Sequence, residues 1–83
     1  MFIAKCYNWN FSDEFLVIEK TKKSAIELIT KAYSERYAMT LDQLQEIGYS
    51  DFESYLREEK ELQIFEVKSG NIFINDEKRN TYE

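Results

Sequence analysis

The chain has 83 residues, 43% of them hydrophobic and 16% aromatic, with a formal charge of −5 and no histidine. That length suits one domain, which at this size buries only ~60–65% of its unfolded surface, and the apolar and aromatic content excludes a chain disordered throughout. A single cysteine, Cys6, and no histidine exclude an internal disulfide, a Cys/His metal cluster and a Cys–His or Ser–His nucleophile within the chain.

Taken in order, residues 2–10 read as a strand. Phe2, Ala4 and Cys6 fall on one face, and Ile3, Lys5, Tyr7 and Trp9 on the other. Continued to Phe11, the alternation places three aromatics, Tyr7, Trp9 and Phe11, on the second face. Asn10, Ser12 and Asp13 supply turn chemistry, and Glu14 to Lys20 reads as a second strand centred on Phe15-Leu16-Val17-Ile18, so the two form an antiparallel hairpin. Cys6 lies in this apolar stretch and reads as a small buried hydrophobe.

Thr21, with Ser24 as the alternative, is the predicted N-cap of a long amphipathic helix ending near Ala38. Ala25, Leu28, Ile29, Ala32 and Tyr33 recur there at helical spacing, with no Gly or Pro. Thr40 and Gln43 have the form of a capping box. They open a short helix with Leu41, Leu44 and Ile47 as its apolar stripe and Gly48 as its left-handed terminator. Ser50 and Glu53 suggest a further capping box, for a third helix that buries Phe52, Tyr55 and Leu56. Leu62, Ile64, Phe65 and Val67 form a third strand, Ser69-Gly70-Asn71 a turn, and Ile72-Phe73-Ile74 a fourth strand.

The expected architecture is α+β, in the order β-β-α-α-α-β-β: an antiparallel four-stranded sheet with helices packed on one face. Residues 1–75 make the domain, and 76–83 a polar, frayed tail. No stretch approaches the ~20 apolar residues of a membrane span, and the N-terminus lacks the apolar core of a signal peptide. A cytoplasmic protein is therefore expected.

No catalytic set is legible. Gly48 and Gly70 are the only glycines, too few for a phosphate-binding loop, and Asn75-Asp76-Glu77 does not build a calcium loop. No cofactor, metal or enzymatic activity is expected. Glu58, Glu59 and Glu61 are the densest carboxylates, and a solvated helix end explains them better than an acid–base pair. Lys20, Lys22 and Lys23 read as solubilising charge.

The negative charge is concentrated. Residues 42–66 hold eight acidic residues and two basic ones, a net of −6. Direct binding to nucleic acid needs a basic footprint and is not expected; a basic protein partner is compatible. Asp42, Glu46, Asp51, Glu53, Glu58 and Glu59 are the carboxylates chosen for such a contact, since acids spaced along helices can imitate a phosphate backbone. The plain alternative is a solvated acidic face. Tyr7 and Trp9 are the candidate aromatic anchors, exposed if no second layer covers their face of the sheet.

A small, acidic, Tyr- and Asn-rich chain with no catalytic set resembles the accessory proteins of phages and mobile elements, of which anti-CRISPR and other anti-defence inhibitors are the best-known. The resemblance is one of size, charge and organisation, and it gives no numbered residue a role. It implies inhibition by binding, in host cytoplasm: an acidic surface occupying the basic nucleic-acid channel of a larger defence complex. The competing expectation is a small homodimeric adaptor or regulatory protein joined through sheet edges or aromatic faces, since a sheet of this size leaves two edges to protect.

Overall fold

The computed structural model describes residues 1–68 and 72–75, with Lys68 and Ile72–Asn75 as backbone only. The expected turn at Ser69-Gly70-Asn71 and the expected tail at 76–83 lie outside the described residues. Strand β1 (Phe2–Asn8) and strand β2 (Asp13–Glu19) form an antiparallel hairpin, with Ala4 opposite Val17 and Cys6 opposite Phe15. Helices α1 (Lys22–Tyr37), α2 (Leu41–Glu46) and α3 (Phe52–Glu59) follow, and the chain returns as β3 (Gln63–Lys68), antiparallel to the other side of β1. Across the strands whose side chains are described, the sheet runs in the order β2-β1-β3. Beyond them the backbone of β4 (Ile72–Asn75) runs antiparallel beside β3, with Phe73 opposite Val67.

Alternation decides which face of the sheet is dry. Ala4 and Cys6 of the central strand are buried, as are Ile64 of β3, Ala25, Ile29 and Tyr33 of α1, and Leu56 of α3; Phe2, Phe15 and Val17 pack against this cluster half-buried. On α1 the three buried residues recur every fourth position, which keeps them on one stripe. Each fully buried aliphatic chain contributes ~1.5–3 kcal/mol, so Ile29→Ala would cost ~2–5 kcal/mol including its cavity. An aromatic run crosses this core. Phe15 lies 5.2 Å from Tyr33 between ring centroids, Tyr33 is 6.2 Å from Tyr55, and Tyr55 is 5.3 Å from Tyr49.

The helix ends are set by local chemistry. Thr21 caps α1 by accepting from the Ser24 N–H at 3.0 Å, and Thr40 and Gln43 form the expected capping box on α2. Gly48 has φ +104, the left-handed conformation that a terminator needs. The expected Ser50–Glu53 box does not form. Asp51 is the cap of α3, and its carboxylate accepts from the Ser54 N–H at 2.8 Å. A carboxylate at this position also answers the positive end of the helix dipole. In α2 only Leu44 of the expected stripe is buried; Leu41 and Ile47 are exposed, because six residues turn one narrow face inward.

Candidate functional site

The site grows from the end of β1. Asn8 is the one buried polar residue among the described residues, 4% exposed. Its Nδ2 donates to the Tyr33 hydroxyl oxygen at 3.0 Å, and its Oδ1 accepts from the Asn10 N–H at 3.0 Å. That second bond turns the chain and stops the strand at Asn8, two residues before the expected end. Ser12 completes the corner at φ 58. Trp9 and Phe11 therefore do not share a strand face with Tyr7, as strict alternation predicted; they project from the β1–β2 corner, 63% and 65% exposed. Phe11 stacks toward the helix side, 5.5 Å from Tyr37. Tyr7 stays in the strand, half-buried, and meets Trp9 edge-on with centroids 4.2 Å apart.

Two contacts tie this corner to the end of α3. The Tyr7 N–H donates to the Lys60 carbonyl at 2.9 Å, and Trp9 Nε1 donates to Glu61 Oε2 at 3.0 Å. Glu61 sits at φ 58 in the short link to β3, a conformation that aims its side chain back toward the indole. Fifty-two positions separate Trp9 from Glu61, so the fold joins an aromatic pair to the acidic end of a helix that the sequence keeps far apart.

The six chosen carboxylates divide into two groups. Asp51 is committed to capping α3, Glu53 accepts from Arg57 Nε at 3.0 Å one helical turn on, and Glu59 accepts from the Tyr49 hydroxyl. That hydrogen bond, more than burial, pushes the Tyr49 phenol up to about 12. Asp42, Glu46 and Glu58 are exposed, and their carboxylates make no hydrogen bond among the described residues. The available negative surface is therefore smaller than the sequence charge suggests; the carboxylate that meets Trp9 is Glu61, and Glu58 lies three residues earlier, in the last turn of α3. Sequence reasoning counted Glu61 among the acids but did not choose it, and it passed over Asn8. The spacing Asn8-Trp9-Asn10 was the signal that could have marked the corner.

The remaining reactive groups are structural. The Cys6 thiol is buried, which pushes it up to about 12 and keeps it protonated at neutral pH. Burial also raises the Tyr33 phenol. Lys22 and Lys23 border an open groove whose other walls are Ile26, Glu27 and Glu53, so two carboxylates balance the two lysines and no anion site results. Among the described residues no group of three or more Cys, Asp or Glu side chains could hold a metal ion, and no helix is long and apolar enough to cross a membrane. Compared with protein families, curated proteins and solved structures, the chain matches none.

Proposed function

We propose that the protein is a non-enzymatic binding protein that docks on a basic protein surface through the Tyr7–Trp9–Glu61 corner and Glu58 in the last turn of α3. The observation that carries this reading is the Trp9–Glu61 hydrogen bond, which holds a largely exposed indole in one orientation beside a carboxylate. Trp is a favoured interface anchor, and fixing its rotamer in advance lowers the entropy lost on docking. Carboxylates around an apolar anchor match lysine and arginine on a partner and steer its approach. A nucleic-acid-processing complex carries such a basic surface, and inhibition of a host defence complex of that kind, as an anti-CRISPR protein does, is the form of the function we favour. Asp42 and Glu46 on α2 extend the acidic side of the contact.

The test is affinity capture with the wild-type chain, Trp9→Ala and the double variant Glu58→Lys/Glu61→Lys as parallel baits, each at low and at moderate salt. The expected result is a basic nucleic-acid-binding protein held by wild type, released by salt and lost from both variants. A partner held equally by all three baits, or no such protein on any of them, would overturn the reading.

A further inference from the structure

The outer edge of β2 has a chemistry of its own, on the side of the hairpin away from β3. The Tyr7 N–H points at Lys60 and the Met1 carbonyl accepts from the Val67 N–H at 2.8 Å, so the odd-numbered residues of β1 turn their backbone groups toward β3. The even-numbered residues, Ala4 and Cys6, therefore exchange hydrogen bonds with Val17 and Phe15. By the same alternation the N–H and C=O groups of Glu14, Leu16 and Ile18 face outward along the edge of the sheet. The side chains of these same three residues stand on the face away from α1; all three are exposed, Leu16 by 55% and Ile18 by 52%. Three usual protections of an edge are absent here, and the charges of β2, Asp13, Glu14 and Glu19, lie toward its ends and leave Phe15 to Ile18 apolar. The chain has no proline, the pairing with β1 runs without a bulge, and β2 contains no lysine.

We propose that this edge pairs with the same edge of a second copy, antiparallel about a two-fold axis at Val17, to make one continuous sheet across a homodimer. Besides the register centred on Phe15, which opposes acid to apolar by setting Glu14 against Leu16 and Asp13 against Val17, two symmetric registers of useful length keep outward backbone groups opposite outward backbone groups. Centred on Leu16, pairing sets Asp13 against Glu19 twice and Glu14 against Ile18 twice. Centred on Val17, it sets Leu16 against Ile18 twice and Glu14 against Lys20, the exposed residue that follows β2, twice. The second register joins apolar to apolar and acid to base, and like charges opposed across strands are unfavourable, so charge selects it. A two-fold axis perpendicular to the sheet leaves both α1 helices on one face. There Leu28, 41% exposed, lines a shallow groove with Glu19, Ser24, Glu27 and Lys31 along the same edge and widens the contact beyond the strand pair. This edge adjoins the Trp9–Glu61 corner at one point, where Glu14 stands opposite Tyr7, and the proposal does not depend on the partner read there, because sedimentation of the chain alone reads only self-association.

The experiment is sedimentation of the full chain across a concentration series, with charge reversals chosen to read the register. Wild type is expected to dimerise, and Leu16→Lys to be monomeric. Glu14→Lys opposes lysine to lysine at two sites and Lys20→Glu opposes glutamate to glutamate, so each alone weakens dimerisation about tenfold or more. Mixing the two variants restores both opposite-charge pairs, and a heterodimer of wild-type strength is expected. Thermal melts should show all three variants folded, since the altered side chains are exposed. A wild-type monomer at every concentration would overturn the proposal. So would a dimer indifferent to Leu16→Lys, or a mixture of the two charge variants that stays monomeric.

Discussion

Asn8 of β1 and Tyr33 of α1 meet through one buried hydrogen bond, Nδ2 donating to the phenol oxygen at 3.0 Å. It joins the last residue of the central strand to the deepest aromatic of the long helix. Losing either partner strands a polar group in a low-dielectric site, which costs ~1–3 kcal/mol. Tyr33→Phe is expected to lower stability by about that amount in urea unfolding. Asn8→Ala is expected to cost at least as much, because it also removes the acceptor for the Asn10 N–H. If the pair acts as a unit, the double variant will cost less than the sum of the singles.

Trp9 is an anchor on the surface, and its removal should read that way. With 63% of the residue exposed, Trp9→Ala is expected to cost less than ~1 kcal/mol in a thermal melt, whereas a core tryptophan would cost ~3–5 kcal/mol. Glu61→Gln, which keeps an acceptor for the indole, should preserve the near-ultraviolet circular dichroism of Trp9, and Glu61→Ala should reduce it. A large drop in melting temperature for Trp9→Ala would place the indole in the core.

The acidic residues are not interchangeable. Asp51→Ala removes the cap of α3 and is expected to cost ~1 kcal/mol. Glu46→Ala, at the exposed end of α2, should stay within ~0.5 kcal/mol of wild type. Equilibrium unfolding of the two variants side by side checks this. The contrast matters for binding, because reversing Asp51 would damage the helix that carries Glu58 as well as the surface charge.

Asp13 links β2 to the end of α1. Its Oδ2 accepts from the Tyr37 hydroxyl at 2.6 Å and from Arg36 Nε at 3.3 Å. The Tyr37 hydrogen bond is the main influence holding this carboxyl below its usual range, and Arg36 adds to it. A depressed carboxylate contributes stability above its unfolded pKa, and that stability is lost as pH falls through the lower folded value. Below about pH 4, therefore, wild type should lose stability faster than Asp13→Asn. Tyr37→Phe should move the native Asp13 titration, followed by carboxyl NMR, back up toward the ordinary value. An unmoved titration would show that the tyrosine does not set it.

Much of the fold was legible in the sequence because local chemistry fixes it. Thr21, the Thr40–Gln43 box and Gly48 mark helix boundaries through backbone groups that need nearby partners, and the period-2 and period-3.6 patterns of β1, β2 and α1 follow from strand and helix geometry. The third cap was misplaced by one residue because Ser50 and Asp51 are both competent acceptors, and only the final chain direction chooses between them.

The candidate site was legible only in pieces. The sequence by itself determined that the chain could not use histidine chemistry, that its negative charge collects between residues 42 and 66, and that Tyr7 and Trp9 are unusual neighbours for a small core. The tertiary structure decided that β3 returns beside β1, and that return carries Glu61 to Trp9 and the Lys60 carbonyl to Tyr7. It also decided which carboxylates are consumed by capping and pairing, and which edge of the sheet is left open at β2. Such contacts join residues far apart in the chain, and loop closure over that distance leaves no periodic trace in the sequence.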